Sequence, residues 1–448
     1  MTRRSFLRAL GLPFTAGLLA PMLASSQAQG GDYRALVVLY LGGGNDGHNV
    51  LVPTDGLYTD YQAARQNLAL PRSSLIPLTG SHIGHTFGLH PALQPLVPLF
   101  HQQRLQFIAN VGALVRPCTA AQVLANAVEV PPFLFSHSDQ TEIACGWIVS
   151  ENPTGWAGRG LESLPEGLKH RNAAVTMGGM RTLVLGRRSP VSFMPVGGQR
   201  WWGYGDMANP QQTATQALLR MAQWQSHNDY EREYIRTLGQ ELQDSMYFTR
   251  LFAKAPTMQA DFGPAGDRLV ERLRGLASVL PLFKAEGLKR QVFLVDWGEF
   301  DTHANQRGSG RLTQDAQLAR LAQALKAFDD SNRATGMDLQ VTTLVMTEFG
   351  RTLRPGSGGG SEHAWGNHWW VMGGPVAGGG VTGVFPSPRL GGPDDSDPGQ
   401  NGRHTPTLSI DQVAATLMQW LGLPPSRFAE VLPHLVNFPN ATLPLLRA

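Results

Sequence analysis

The chain has 448 residues, 42% of them hydrophobic and 16% charged, with 37 Lys and Arg against 34 Asp and Glu. Its formal charge of +3 comes from Arg3, Arg4 and Arg8; taking these three away leaves 34 basic against 34 acidic residues, which excludes an electrostatic nucleic-acid binder. The 51 glycines and 31 prolines describe a globular chain with long surface connections.

The first segment reads as an export leader. Thr2-Arg3-Arg4-Ser5-Phe6-Leu7-Arg8 resembles the twin-arginine consensus, an apolar stretch runs from Ala9 to Ala24, and Ser26 and Ala28 sit like a cleavage site before Gln29. The apolar stretch is short and is broken by Gly11, Pro13 and Pro21, unlike a membrane span. The expectation is a leader over 1–28 and a periplasmic or secreted protein exported by the twin-arginine machinery, with no stable membrane span in the mature chain. About 420 residues then remain, room for one large domain or two medium ones. We expect a single domain over 29–448.

Arg34 to Leu41 is a near-continuous apolar run, as for a strand buried on both faces of a parallel sheet. It ends in the turn Gly42-Gly43-Gly44-Asn45-Asp46-Gly47. A helix is expected from His90-Pro91 to Gln103, with His90 structural, then a strand over Leu105–Val111. Only Cys118 and Cys145 are available to pair; a disulfide and two free thiols both remain open. Ser136 or Ser138 caps a helix through Gln140 and Glu142. Polar amphipathic helices at 210–254 and 266–285 suggest a helical insertion at about 205–287. Strand–helix alternation resumes with Gln291–Val295, a helix over Thr313–Asp330 and a strand over Val341–Met346. Trp369 and Trp370 read as core residues, and Ser409 caps a last helix. The fold class expected is α/β, a mostly parallel sheet flanked by helices.

Three of these strands end in polar side chains: Asp46, then Asp301 with His303, then Glu348 with Arg351. Sites in open parallel sheets form beyond the carboxyl ends of strands, so these groups would converge on one crevice. Carboxylates and an imidazole together suit a divalent cation. The glycines at 42–44 lack the lysine and hydroxyl of a phosphate-binding loop and match no dinucleotide fingerprint.

Leu41 to Asn49, Ser136-His137, Phe300-Asp301-Thr302-His303, Glu348 to Thr352 and Glu362-His363 together resemble a widespread family of secreted bacterial proteins. It is catalogued as domain of unknown function fifteen-oh-one and grouped with the alkaline-phosphatase and sulfatase-like superfamily. The resemblance implies an alkaline-phosphatase-like fold and a metal-dependent hydrolase of phosphate or sulfate esters. Its implied metal ligands are Asp46, Asp301, His303, Glu348 and His363, with His368 as a rival for the last. The metal would be Zn, Mg, Ca or Mn. Ser136 is the implied nucleophile, with Ser138 as rival. Read as chemistry, His137 would act as acid or base and Arg351 would clamp the tetrahedral anion. The substrate would be a small-molecule or polymer-borne anionic ester. Glu348 stands where that superfamily has aspartate, and Phe349 where it has a metal-binding histidine, so one metal or two stays open. A second reading is a catalytically silent binding protein on the same fold.

Overall fold

The computed structural model describes residues 32–146, 154–196, 200–201, 205–206, 209 and 211–447. The leader expected over 1–28 lies outside the described residues.

The central sheet has nine strands. In chain order they are β1 (Arg34–Leu41), β2 (Leu105–Gly112), β3 (Ala174–Thr176), β4 (Ser192–Phe193) and β5 (Arg290–Trp297). Then come β6 (Val341–Met346), β7 (Asn367–Met372), β8 (Gly380–Gly383) and β9 (Leu408–Ser409). The spatial order is β8-β2-β7-β6-β1-β5-β3-β4, with β9 also paired to β2. β1 lies between β5 and β6 in parallel register, Leu41 opposite Trp297 and Tyr40 opposite Met346. β7 is antiparallel to both its neighbours, β6 and β2. The remaining pairings in the sheet are parallel.

Alternate side chains of β1 feed two cores, because successive residues of a strand point to opposite faces. Ala35, Val37, Leu39 and Leu41 face one core, Leu36, Val38 and Tyr40 the other. The helices that matter here are α1 (Leu57–Arg65), α2 (His137–Ala144), α3 (Thr213–Met221) and α4 (Asp229–Ala253). They are followed by α5 (Arg268–Ala285), α6 (Gln314–Ala334) and α7 (Ile410–Trp420). Leu273, Leu276, Leu280 and Phe283 of α5 pack in the first core with Leu318, Leu321 and Leu325 of α6. Val413 and Leu417 of α7 pack in the second. The protein is therefore α/β, a mostly parallel sheet flanked by helices.

Of the helices expected as an insertion, α5 belongs to the flanking layer. Only α3 and the outer part of α4 stand off, sharing a small cluster of their own around Leu238 and Leu242. The helix expected from His90 is broken into Pro91–Leu96 and Val97–His101 by its prolines. His90 caps it by accepting from the Ala92 amide, as a structural residue should. Cys118 and Cys145 are both free thiols, the second buried. No helix among the described residues is long and apolar enough to cross a membrane.

Candidate metal centre

The turn after β1 sets the geometry. Gly43 and Gly44 have φ of +106° and +74°, which favour glycine. A Cβ on Gly43 would lie 2.4 Å from the Asp301 nitrogen, and one on Gly44 would lie 2.5 Å from the Phe349 ring. The loop after β5 is thereby pressed against the end of β1. Phe300 N donates to the Gly42 carbonyl at 3.0 Å, and Asp301 follows at the rim.

Asp301 gathers three imidazoles. His303 Nε2 lies 3.0 Å and His363 Nε2 3.2 Å from its Oδ1, and His137 Nε2 lies 3.4 Å from its Oδ2. The Nε2 atoms of His303 and His363 are themselves 3.0 Å apart. His137, Asp301 and His363 offer ligand atoms that all lie within 4.8 Å of one another, the single such group among the described residues.

Each ring is held from behind through its other nitrogen. His137 Nδ1 is 2.9 Å from Glu348 Oε1, His303 Nδ1 is 2.8 Å from Glu362 Oε2, and His363 Nδ1 is 2.7 Å from the Phe135 carbonyl. Nδ1–H donation to these acceptors leaves the Nε2 lone pairs facing inward, as in carboxylate–histidine–metal sites. The Phe135 carbonyl is aimed by a backbone at φ +77°, an uncommon conformation for a bulky residue. Two facing Nε2 atoms, and a buried His137 Nε2 without a hydrogen bond, are what a nitrogen-binding cation would satisfy. The donor set fits a divalent cation.

Electrostatics agree with the geometry. Burial alone would raise the Asp301 pKa, but Arg351 and the neighbouring imidazoles bring it down to about 2. The hydrogen bond to Glu348 raises the pKa of His137 against its burial. Burial lowers that of His363. Glu348 is buried yet held below the usual carboxylate range by His137, Thr347 and the Gly43 amide.

The eight residues expected at the site thus divide. Asp301, His303 and His363 come together, and His137 joins them. Glu348 stands behind His137. Asp46 is elsewhere, with its carboxylate spent on Arg65, on Gln306 Nε2 at 2.6 Å and on the His48 amide at 3.1 Å. Arg351 is fully buried and gives its donors to the carbonyls of Gly43, Gly44, Phe300 and Ser361 and to Asp301. In this arrangement Arg351 positions Asp301. Ser136 sits at the N-cap of α2, but its hydroxyl makes no cap bond and donates to Asp139. Ser138 Oγ lies 3.3 Å from Ser136 Oγ. The Phe349 ring packs on His137 and His363, centroids 4.8 and 4.7 Å away.

Asp139, Glu362 and the Phe135 carbonyl were not anticipated from the sequence. The spacing Ser136-x-x-Asp139 and the position of Glu362 next to His363 were the available signals.

His368 lies outside this centre. It meets His48 and His404 in a buried group, with His48 edge-on to His404 at 5.0 Å and to His368 at 5.6 Å. Burial lowers His368 to about 3 and His404 to about 4. An unfolded histidine titrates near ~6.5, so below that pH the unfolded chain takes up protons that the native chain refuses. Stability should fall as pH drops from ~6.5 toward about 4, by about 2 kcal/mol for each of the two between pH 7 and 5. Urea titrations at the two pH values measure this, and His404→Leu should remove its share. An unchanged difference in that variant would refute the assignment.

No curated relative matches by sequence. Among solved structures, the phosphonate monoester hydrolase SpPMH from Silicibacter pomeroyi is 10% identical over 87% of this chain and 73% of its own, with a TM-score of 0.31. The lipoteichoic acid synthase LtaP from Listeria monocytogenes is 8% identical, covering 88% and 72%, at 0.32. The PsFucS1 sulfatase from Pseudoalteromonas sp. is 12% identical, covering 88% and 74%, at 0.31. Likeness of this degree assigns no activity to the chain. The profile of one family spans residues 33–430, and the chain belongs to that family, described as "Protein of unknown function (DUF1501)".

Proposed function

We propose that this chain is an exported, metal-dependent hydrolase-like protein, alkaline-phosphatase-like in fold, that acts on phosphate or sulfate esters at the centre formed by His137, Asp301, His303 and His363. One observation carries the reading: three Nδ1 atoms are anchored by Glu348, Glu362 and the Phe135 carbonyl, so that three Nε2 atoms converge on one carboxylate. A set of three imidazoles and one carboxylate favours zinc over the harder Mg, Ca or Mn. Bound there, the cation would supply Lewis acidity to an ester oxygen and offset developing negative charge.

The chain's own residues supply the rest. Ser136 is the nucleophile, its hydroxyl released from capping and directed to Asp139, which takes its proton. The N-terminus of α2 favours negative charge beside it. Arg351 fixes Asp301, and Glu348 fixes the His137 tautomer. Export by the twin-arginine route, resting on Arg3 and Arg4, is part of the same proposal.

The second reading is a binding protein without turnover. It is favoured by Phe349, which fills the place beside His137 and His363, and by the commitment of Asp46 and Glu348 to internal partners. Metal analysis of the purified protein with a screen of aryl phosphate, phosphonate and sulfate esters separates the two. The hydrolase reading expects turnover that falls at least about a hundredfold in Ser136→Ala. Turnover surviving that change points to water or Ser138, and bound metal without turnover of any ester leaves the binding protein.

A further inference from the structure

A cleft of about 520 Å³ opens beside the metal centre, between the end of β1, the start of α5 and the start of α6. Its lining is carried by the elements that carry the centre, α2 and the end of β5. Tyr40 lines it and is hydrogen-bonded through its hydroxyl to Thr141 Oγ1 at 2.8 Å. Thr141 lies one turn of α2 beyond His137, on the same helix face. Glu299, also in the lining, is two residues before Asp301.

Four arginines line this cleft: Arg268, Arg272, Arg311 and Arg320. Two are neutralised within it. Arg272 lies 3.6 Å from Asp296, and Arg320 lies 2.8 Å from Asp267. Arg268 and Arg311 are exposed and have no ion-pair partner among the described residues. Arg268 is near enough to Arg272 to help depress that guanidinium's pKa, after burial and against Asp296, and with Asp267, Asp296 and Glu299 in the same lining the four arginines leave a small net positive charge. Arg320 also donates to the Arg311 carbonyl at 2.9 Å, which fixes the backbone that carries the second free guanidinium. The Asp267 side chain caps the first turn of α5, so it is side chains, not helix amides, that offer themselves to an anion.

We propose that this cleft is a second anion subsite, in which Arg268 and Arg311 take a phosphate or sulfate group carried by the same substrate as the ester. The inference rests on the function proposed above and narrows it: the substrate is a chain bearing several anionic groups, not a simple monoester. Planar guanidinium forks match tetrahedral oxyanions in two-point contacts. A monoester would reach the centre and leave the arginines empty, whereas a polyanion spans both.

The test is calorimetry on the full mature chain with two probes, a size-defined sulfated hexasaccharide and a linear polyphosphate of equal charge. Inorganic sulfate and phosphate serve as single-anion controls. At least one polyanion should bind far more tightly than its single anion, and the affinity should drop steeply between about 50 and 300 mM salt. Arg268→Gln/Arg311→Gln should weaken it by about tenfold or more for each guanidinium. Arg232→Gln/Arg236→Gln on α4 removes the same charge elsewhere and should not. Tight binding by one probe alone identifies the anion as sulfate or phosphate. Equal weakening in the two double variants, or no polyanion binding by the wild type, overturns the proposal. Polyanion binding that depends on Arg268 and Arg311, in a protein that turns over no ester, would retain the cleft and remove the hydrolase.

Discussion

Under the proposed function the wild type should bind one divalent cation per chain and His363→Ala close to none. His363 is anchored through Nδ1 to the Phe135 carbonyl at 2.7 Å, and its Nε2 faces Asp301 at 3.2 Å. Truncation removes a donor and frees the Phe135 loop, so the remaining groups lose both a ligand and a brace. Glu348→Gln makes the contrast. It keeps all four proposed donor side chains and weakens the anchor behind His137, along with the bonds from the Gly43 amide and Thr347, so the metal should still bind, about 10–100-fold more weakly. Metal titration with a competing chelator measures both variants. If the two lose metal equally, or neither does, the division between donors and anchors is wrong. Ester turnover, where present, should follow metal occupancy in the same order.

Asp46→Ala should behave in the opposite way, costing stability and sparing metal. Asp46 and Arg65 are both fully buried and paired, and Arg65 also donates to the Thr352 and Leu353 carbonyls at 2.9 and 3.3 Å. Removing one partner of a buried pair leaves an uncompensated charge, at a cost of about 3–5 kcal/mol. Arg65→Met should cost as much from the other side, because it strands the Asp46 carboxylate. Denaturant titration reads the loss, and metal content per chain should stay within error of the wild type. Lost metal with unchanged stability would return Asp46 to the ligand set.

The contrast shows what the sequence could disclose. The strands on which the centre is built are long apolar runs, and the polar residues just beyond them were readable as a crevice. Asp301 and His303 were found that way, and His363 through the family resemblance. Asp46 obeys the same rule and still turns inward, because its partner Arg65 lies on a different element, 19 residues on. A local pattern carries no trace of such a pairing. His137 was singled out beside Ser136 for acid–base work, whereas its place among the donors depends on Glu348, 211 residues away. The strand Asn367–Met372 was missed although Trp369 and Trp370 read correctly as core. Burial on both faces erases the alternation that marks a strand, and nothing local tells an antiparallel member of a parallel sheet from its neighbours. The spread of α5 and α3–α4 over different cores was likewise hidden, since all three helices are amphipathic.

The anchors that orient the imidazoles join parts of the chain far apart in sequence. His137 meets its carboxylate across 211 residues, and His363 meets the Phe135 carbonyl across 228. Contacts of that span raise contact order, and the loops they close must be ordered before any contact rewards the closure. During synthesis the segment bearing His137 emerges long before the segment bearing His363, so cation capture at the proposed centre would be a terminal event of folding. A chain truncated before His363 is then expected to lack the site altogether, and cation occupancy would be a chemical record that the last strands have docked.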